Sequence, residues 1–279
     1  MQRVIVGHSL PPARDRVFDR HRNEPIDTED QSQGRERGDI GGDWEGIVWE
    51  NKPSIWLAYP GDTRPIIDFG FVAGQENAPL IRLNSDYVYV DGFEIRRVRN
   101  IGFQFPSGIG GRHGPTYRRL VAHGLGPSTS GSNAAFIMTT TFEGRCTGGV
   151  IQDSEFYDFQ ASIIKIYSQH KLLIEDNYIH DGNTGIELKD LIEQFTVRGN
   201  RFRAISIVPL GGNMHESATS GEILFNLIQG NQYALRINND AMATPIWIYR
   251  NTFSGGEVMV AHITPTTGPF TFNNNVIVN

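Results

Sequence analysis

Apolar and polar positions form a six-residue pattern that recurs along the second half of the chain. Each copy has an apolar residue, two variable positions, a polar residue that is usually Asn, one variable position and a final Ile or Phe. The copies are Ile151–Phe156, Ile174–Ile179, Val197–Phe202, Ile223–Ile228, Ile248–Phe253 and Phe272–Ile277. Their polar residues are separated by 23, 23, 26, 25 and 24 positions. A nearly constant period of this length predicts a solenoid of stacked coils, because one hairpin or helix pair gives no such repetition.

The local pattern within each repeat is that of short β-strands. Apolar residues alternate with polar ones, as in Ile186–Leu188 and Leu235–Ile237, and Gly, Asn and Asp separate the runs. A period near 24 residues with three short strands per turn is typical of an all-β right-handed parallel β-helix, whose coils stack about 4.8 Å apart. Weaker anchors at Asp91 and Arg119 extend the pattern, so we predict eight or nine coils. A leucine-rich repeat is rejected because its leucine consensus and its helical half are missing.

The polar fourth residue of the repeat is predicted to be structural. It is Ser154 in the first copy, and Asn in the others, at Asn177, Asn200, Asn226, Asn251 and Asn275. Asn tolerates a left-handed backbone at a corner, and stacked amides bond to the coils above and below. We therefore predict a ladder of Asn side chains along one corner of the solenoid.

The chain divides into a short N-terminal segment and the solenoid. Residues 1–45 are polar and carry a charged run, so we predict a capping or partly disordered segment, followed by the β-helix over residues 46–279. Val276–Val278 is apolar and β-prone, and no charge occurs in Thr264–Asn279. Because an uncovered edge recruits other strands, we expect either a homo-oligomer or a further C-terminal cap.

Composition narrows the functional classes. The 279 residues are 39% apolar, which suits a folded chain with a large core, and the net charge of −6 does not suggest a nucleic-acid partner. No apolar run approaches the about 20 residues of a transmembrane helix, so no membrane partner is expected. The single Cys146 forbids an intrachain disulfide, and the eight histidines lack metal-ligand spacing, so we predict no metal site.

The repeats resemble those of the pectate-lyase-like superfamily, which includes alginate lyases, chondroitinase B and phage tailspikes. The segment Tyr59–Asp68 is also similar to the opening coil of such proteins. The resemblance covers about residues 50–279 and implies a carbohydrate-active protein with an acidic polysaccharide as its partner. It also implies an extracellular or periplasmic location, although charged residues follow Met1–Gly7 where a signal peptide would be apolar.

In those families the substrate lies along the outside of the strand that precedes the Asn-bearing turn. Alignment of residues 164–168, 186–190 and 235–239 puts their apolar residues inward and their polar residues outward. One outward column then holds Lys165, Glu187 and Arg236, the next holds Tyr167, Lys189 and Asn238, and the strand ends are Ser168, Asp190 and Asn239.

Elimination from a uronate needs a cation for the carboxylate, a base for the C5 proton and an acid for the leaving O4. We predict that Lys189 and Tyr167 carry the proton transfers and that Lys165 and Arg236 bind the carboxylate. Further substrate contacts are predicted at Glu187, Asp190, Asn238 and Asn239, and at His215 in the irregular excursion Pro209–Gly221. No cofactor is expected: calcium, which the resemblance allows, finds no carboxylate ligand in Phe136–Thr141.

Other interpretations of the same residues stay open. Lys165 and Glu187 form an ordinary cross-strand ion pair in the simplest alternative. A non-catalytic glycan-binding or tailspike-like structural protein would use the same groove without a base, and a glycoside hydrolase would use the same scaffold. The segment Leu188–Asp190 departs from the Leu-Arg-His-Gly element of alginate lyases. The signatures of mannuronan epimerases and polygalacturonases are missing.

Overall fold

The structure is a computed structural model of the chain. It describes residues 2–6, 17–19, 24–26, 47–50, 54–59, 61, 63–70, 79–99, 101–105, 113–126, 135–139, 146–214, 220–239, 246–255 and 270–278. These residues form strands joined by turns and contain no helix, and consequently no helix long and apolar enough to cross a membrane.

The strands are short except for three long ones near the middle of the chain. In chain order they are β1 (Gln2–Val6), β2 (Val17–Asp19), β3 (Glu24–Ile26), β4 (Ile47–Glu50), β5 (Ser54–Ala58), β6 (Ile66–Asp68), β7 (Pro79–Asn84), β8 (Val88–Asp91), β9 (Glu94–Val98), β10 (Ile101–Phe105), β11 (Thr116–Arg118), β12 (Val121–Leu125), β13 (Ala135–Thr139), β14 (Cys146–Thr147), β15 (Val150–Gln152), β16 (Glu155–His170), β17 (Leu173–Glu175), β18 (Tyr178–Glu193), β19 (Phe195–Arg198), β20 (Arg201–Met214), β21 (Gly221–Leu224), β22 (Leu227–Gly230), β23 (Leu235–Asn239), β24 (Ile246–Tyr249), β25 (Thr252–Gly255), β26 (Phe270–Asn273) and β27 (Val276–Val278).

Two parallel sheets make the solenoid. The first stacks ten strands in the order β1-β5-β8-β11-β15-β17-β19-β21-β24-β26. The second has 15 strands, and its long members β16, β18 and β20 change register partway, so that each supplies two successive faces of a coil. The predicted all-β parallel solenoid is confirmed. About six turns are regular, beginning at β15, β17, β19, β21, β24 and β26, and earlier strands stack before them in the same ten-strand sheet, so the number of coils differs only slightly from the predicted eight or nine.

The Asn ladder is present at the corner between the two sheets. Asn177 Nδ2 donates to Asn200 Oδ1 at 2.9 Å, and Asn200 Nδ2 donates to Asn226 Oδ1 at 3.0 Å. The same amides also donate to the carbonyls of Ile151 and Ile174 inside the corner. The predicted ladder is therefore confirmed, and it connects each coil to the next.

The prediction that Asn supplies the left-handed backbone at this corner is wrong. The left-handed residue is the one before each ladder position, as at Asp153, Asp176 and Arg250, where φ is 52°, 53° and 56°. The ladder residues themselves are absent from the positive-φ set, so hydrogen bonding explains their identity. The predicted anchors Asp91 and Arg119 also lie away from the corner positions of their coils. Asp91 lies two positions before the corner residue of its coil, and Arg119, with a φ of 49°, lies one position before it.

The core is a stack of inward-facing apolar side chains. Phe156, Ile179, Phe202 and Ile228 stack along the second sheet and are at most 1% exposed. Burial of each such side chain contributes about 1.5–3 kcal/mol. Ile277 continues this column in the last strand but is 51% exposed. The expected self-association stays a prediction, as do the division of the chain at residue 46 and the capping role of its first 45 residues.

Candidate functional site

The residues of the predicted outward column lie on neighbouring strands. Lys165 of β16 pairs in register with Glu187 of β18, and Tyr167 pairs with Lys189. Glu187 pairs with Gly211 of β20, and Gly211 pairs with Arg236 of β23. The column is thus Lys165, Glu187, Gly211 and Arg236, and Arg236 lies two coils away from Glu187.

The alignment of residues 164–168, 186–190 and 235–239 omitted the coil that contains Gly211. A Cβ at this position would lie 2.3 Å from the Arg236 carbonyl oxygen, so β20 and β23 pack at a distance that admits only glycine. Gly211 therefore carries no side chain to mark the column in the sequence.

The candidate strands occupy a different place in the coil from the one predicted. Lys165 and Tyr167 lie in the second half of β16, which ends at His170, and β17 follows before the corner at Asn177. The strand that precedes the Asn corner directly is therefore β17 of the first sheet. The expectation that the candidate strands precede the Asn-bearing turn is wrong, because β17 of the first sheet lies between them and that turn.

A carboxylate between two ammonium groups forms the centre of the site. Glu187 Oε2 lies 3.2 Å from Lys165 Nζ, and Glu187 Oε1 lies 2.9 Å from Lys189 Nζ. The Ser162 hydroxyl donates to Glu187 Oε2 at 2.8 Å. Glu187 thus accepts from three donors on two strands. Sequence reasoning did not identify Ser162, which lies where β16 changes register and carries no recognisable signal.

The two lysines differ in exposure. The Lys165 side chain is only 2% exposed, whereas the side chains of Glu187 and Lys189 are 21% and 22% exposed. The prediction that Lys165 points to an open outer surface is wrong. The solvent-accessible part of the site therefore consists of Glu187, Lys189 and Tyr167, which is also partly exposed.

Burial and neighbouring charge set the protonation states. Burial lowers the pKa of Lys165, and Lys189 lowers it further, although Glu187 opposes both effects. Burial alone would raise the pKa of Glu187, but Lys165, Lys189 and Ser162 outweigh burial and hold that pKa below its ordinary value. Burial alone would lower the pKa of Lys189, but its hydrogen bond to Glu187 and its contact with Tyr167 raise it. Lys189 is therefore a cation at neutral pH and a poor base.

Tyr167 is the neighbour of Lys189 that can exchange a proton. Lys189 Nζ lies 5.6 Å from the centre of the Tyr167 ring. Burial raises the pKa of Tyr167, while the charge of Lys189 lowers it in part. The phenol is therefore protonated at neutral pH, and the adjacent cation stabilises its phenolate form.

The remaining predicted residues lie around this centre or outside the described part. Arg236 stacks on the Tyr233 ring, with 5.2 Å between the guanidinium carbon and the ring centre. Asp190 follows Lys189 with a φ of 58°, a conformation that Asp tolerates better than most residues. Asn238 and Asn239 end β23, but their side chains lie outside the described part. His215 also lies outside the described residues.

The described residues offer no metal centre, since none of their His, Cys, Asp and Glu side chains form a group of three or more suited to an ion.

A family comparison agrees with the architecture. A family described as a right-handed β-helix region matches residues 133–279. No curated protein matches the sequence. The chain is similar to the crystal structure of a GH136 lacto-N-biosidase from Eubacterium ramulus, at 12% identity and a TM-score of 0.40. That similarity covers 84% of this chain and 61% of the other chain. The chain therefore spans about three fifths of the length of that enzyme.

Proposed function

The chain belongs to the right-handed β-helix family, and we propose that it is a carbohydrate-active protein that cleaves a uronate-containing polysaccharide by β-elimination. The observation that carries the proposal is the contact between Tyr167 and Lys189, because it sets a proton-transferring phenol beside a permanent cation. The resemblance of the repeats to the pectate-lyase-like superfamily supports the choice of an acidic polymer. Action on such a polymer implies an extracellular or periplasmic protein.

Tyr167 carries both proton transfers in this proposal. As a phenolate it removes the C5 proton of the uronate, and the electron pair of that C–H bond forms the C4–C5 double bond. The C4–O4 bond then breaks, and the phenol returns the proton to O4. The ammonium of Lys189 neutralises the uronate carboxylate, which makes the C5 proton more acidic.

Glu187 and Lys165 hold Lys189 in place beside Tyr167. Glu187 fixes the Lys189 ammonium by its 2.9 Å contact, and the buried Lys165 compensates the charge of Glu187. Both are positioning residues. Arg236 lies two coils from Glu187, which corresponds to about 10 Å along the solenoid. It would therefore bind the carboxylate of a neighbouring sugar unit.

The test is a panel of acidic polysaccharides. The protein is incubated with alginate, polygalacturonate and glycosaminoglycans, with and without calcium, and the ultraviolet absorbance of the unsaturated uronate product is followed. We expect product from at least one polymer and a loss on the order of 10²-fold or more in Tyr167→Phe. Tyr87→Phe is the matched control, because Tyr87 is 58% exposed and lies on an earlier coil. Absence of product from every polymer would favour a non-catalytic glycan-binding protein.

The pH profile separates a catalytic Tyr167 from a structural one. Because the pKa of Tyr167 is raised, the phenolate fraction grows toward alkaline pH, and activity should rise with it. The charge of Lys189 lowers that pKa in part, so Lys189→Met should move the rising limb to higher pH as well as weaken substrate binding. A profile that stays in place in Lys189→Met would contradict proton transfer by Tyr167.

A further inference from the structure

Aromatic side chains are exposed on the outer face of the first sheet near its last strands. Trp247 is 45% exposed and Phe225 is 53% exposed, and Tyr249 is partly exposed on the same strand face as Trp247. These three residues, together with Glu222, Arg250 and Asn273, are called the Trp247 face. Apart from Phe225, all of its members line one shallow groove.

Aromatic side chains are more frequent on this face than on the outward positions of β11, β15, β17 and β19 of the same sheet. Outward positions equivalent to Trp247 hold Val150, Leu173 and Thr196, and those equivalent to Tyr249 hold Gln152, Glu175 and Arg198. Tyr89 of β8 is a partly exposed aromatic residue at the Trp247 position of an early coil. A solvated sheet surface thus needs no aromatic residues here. Their concentration on β24 and the adjoining corner indicates a surface that contacts a ligand.

Polar groups surround the indole on the neighbouring strands. Trp247 pairs in register with Glu222 of β21 and with Thr271 of β26, and Tyr249 pairs with Asn273. Neighbouring strands lie about 4.8 Å apart, so hydrogen-bonding side chains lie on the strands on both sides of Trp247. The Arg250 guanidinium lies over Phe225, 5.5 Å from its ring centre, and adds a cationic donor at the edge of the groove.

We propose that the Trp247 face binds a pyranose unit of a glycan. The apolar C–H face of a pyranose ring packs on a flat indole, while its hydroxyls need donors and acceptors around the ring. An exposed aromatic ring with a carboxylate, an amide and a guanidinium at its border meets both needs.

The contrast with another aromatic group of the solenoid favours this assignment. His123, Tyr157 and His180 stack on one another on the second sheet, with centres 4.7 and 5.2 Å apart. The stacking covers their ring faces, so that column has little area left for a ligand. Within the described residues, no other aromatic ring stacks on Trp247, and that side chain is 45% exposed.

The Trp247 face lies on the first sheet, whereas Tyr167 and Lys189 lie on the second. It therefore holds glycan independently of the proposed elimination, and binding should survive a change that stops chemistry. Its function is to retain the polymer near the solenoid surface.

The experiment is affinity electrophoresis of the full chain in native gels that contain alginate, polygalacturonate, xylan, mannan or hydroxyethyl cellulose. We expect at least one polymer to retard the protein, and we expect Trp247→Ala to weaken that retardation at least fivefold. Tyr59→Ala is the matched control, because Tyr59 is 53% exposed on an early coil. Arg250→Ala provides a second variant with the indole intact, and it should weaken retardation by a smaller factor.

The outcomes separate this proposal from the proposed elimination. Tyr167→Phe should lose product formation, and in that variant Trp247→Ala should still weaken the retardation at least fivefold. The proposal is overturned if no polymer retards the protein, or if Trp247→Ala is retarded as strongly as the unchanged chain while circular dichroism shows the same fold. Binding without any unsaturated product would retain the Trp247 face and reject the elimination.

Discussion

Replacement of Glu187 by Gln isolates the charge that the site places between two lysines. The amide keeps the size of the side chain and its capacity to accept from Ser162, but it removes the negative charge beside Lys165 and Lys189. A protonated Lys165 would then be buried next to a second ammonium without a compensating carboxylate. Its pKa, already below the ordinary lysine value, should fall further because Glu187 raises it in the unchanged protein.

The ordinary lysine pKa sets an upper limit on the free energy of unfolding that Glu187→Gln loses. A buried lysine escapes an unpaired charge by releasing its proton. Release at neutral pH costs about 5 kcal/mol for a group whose ordinary pKa is about 10.5, since each pKa unit corresponds to about 1.4 kcal/mol. Loss of one partner from a buried ion pair costs about 3–5 kcal/mol, which lies within this bound. Because Glu187 is 21% exposed and water screens part of its charge, we expect about 2–4 kcal/mol.

The assay is urea denaturation of Glu187→Gln at several pH values. The folded state of the variant binds fewer protons at Lys165 than the unfolded state does, so its stability should rise with pH toward the ordinary lysine pKa. Lys165→Met in the Glu187→Gln background removes the stranded ammonium and should recover most of the loss. A loss below about 1 kcal/mol, or a Lys165→Met change that recovers nothing, would refute the account of a buried, charge-compensated lysine.

Two further predictions concern the scaffold. Asn200→Ala leaves the amide N–H of Asn177 and the carbonyl of Ile174 without the Asn200 side chain, so the free energy of unfolding should fall by about 2–6 kcal/mol, at about 1–3 kcal/mol for each buried group. Asn275→Ala, at the partly buried end of the ladder, should cost less, and equal losses in urea denaturation would contradict a role in joining buried coils. Tyr117→Phe should stabilise the chain by about 1 kcal/mol, because the fully buried Tyr117 hydroxyl has no hydrogen-bond partner within the described residues. A lower thermal midpoint in that variant would show that the hydroxyl contributes to folding.

Periodicity made the architecture predictable from the sequence. Each coil repeats the same inward positions, so Ile179, Phe202 and Ile228 signal their burial without knowledge of distant contacts. The same holds for the ladder, because Asn200 bonds to its equivalents one period before and after it in the chain. In a parallel solenoid long-range contacts are equivalent to the repeat itself, and the sequence contains the repeat.

Only the tertiary structure decided the environment of residues outside the strict repeat. The burial of Lys165 depends on what packs over its strand, and outward positions alternate with inward ones whether or not they are covered. The number of residues in each excursion decides which strands become neighbours, and this interposes Gly211 between Glu187 and Arg236. The left-handed residue at the corner is Asp176 in one coil and Gly199 in the next, because the turn fixes a backbone conformation and several side chains tolerate it. A one-dimensional pattern records which residues repeat, whereas the environment of a residue that does not repeat exists only once the coils have stacked.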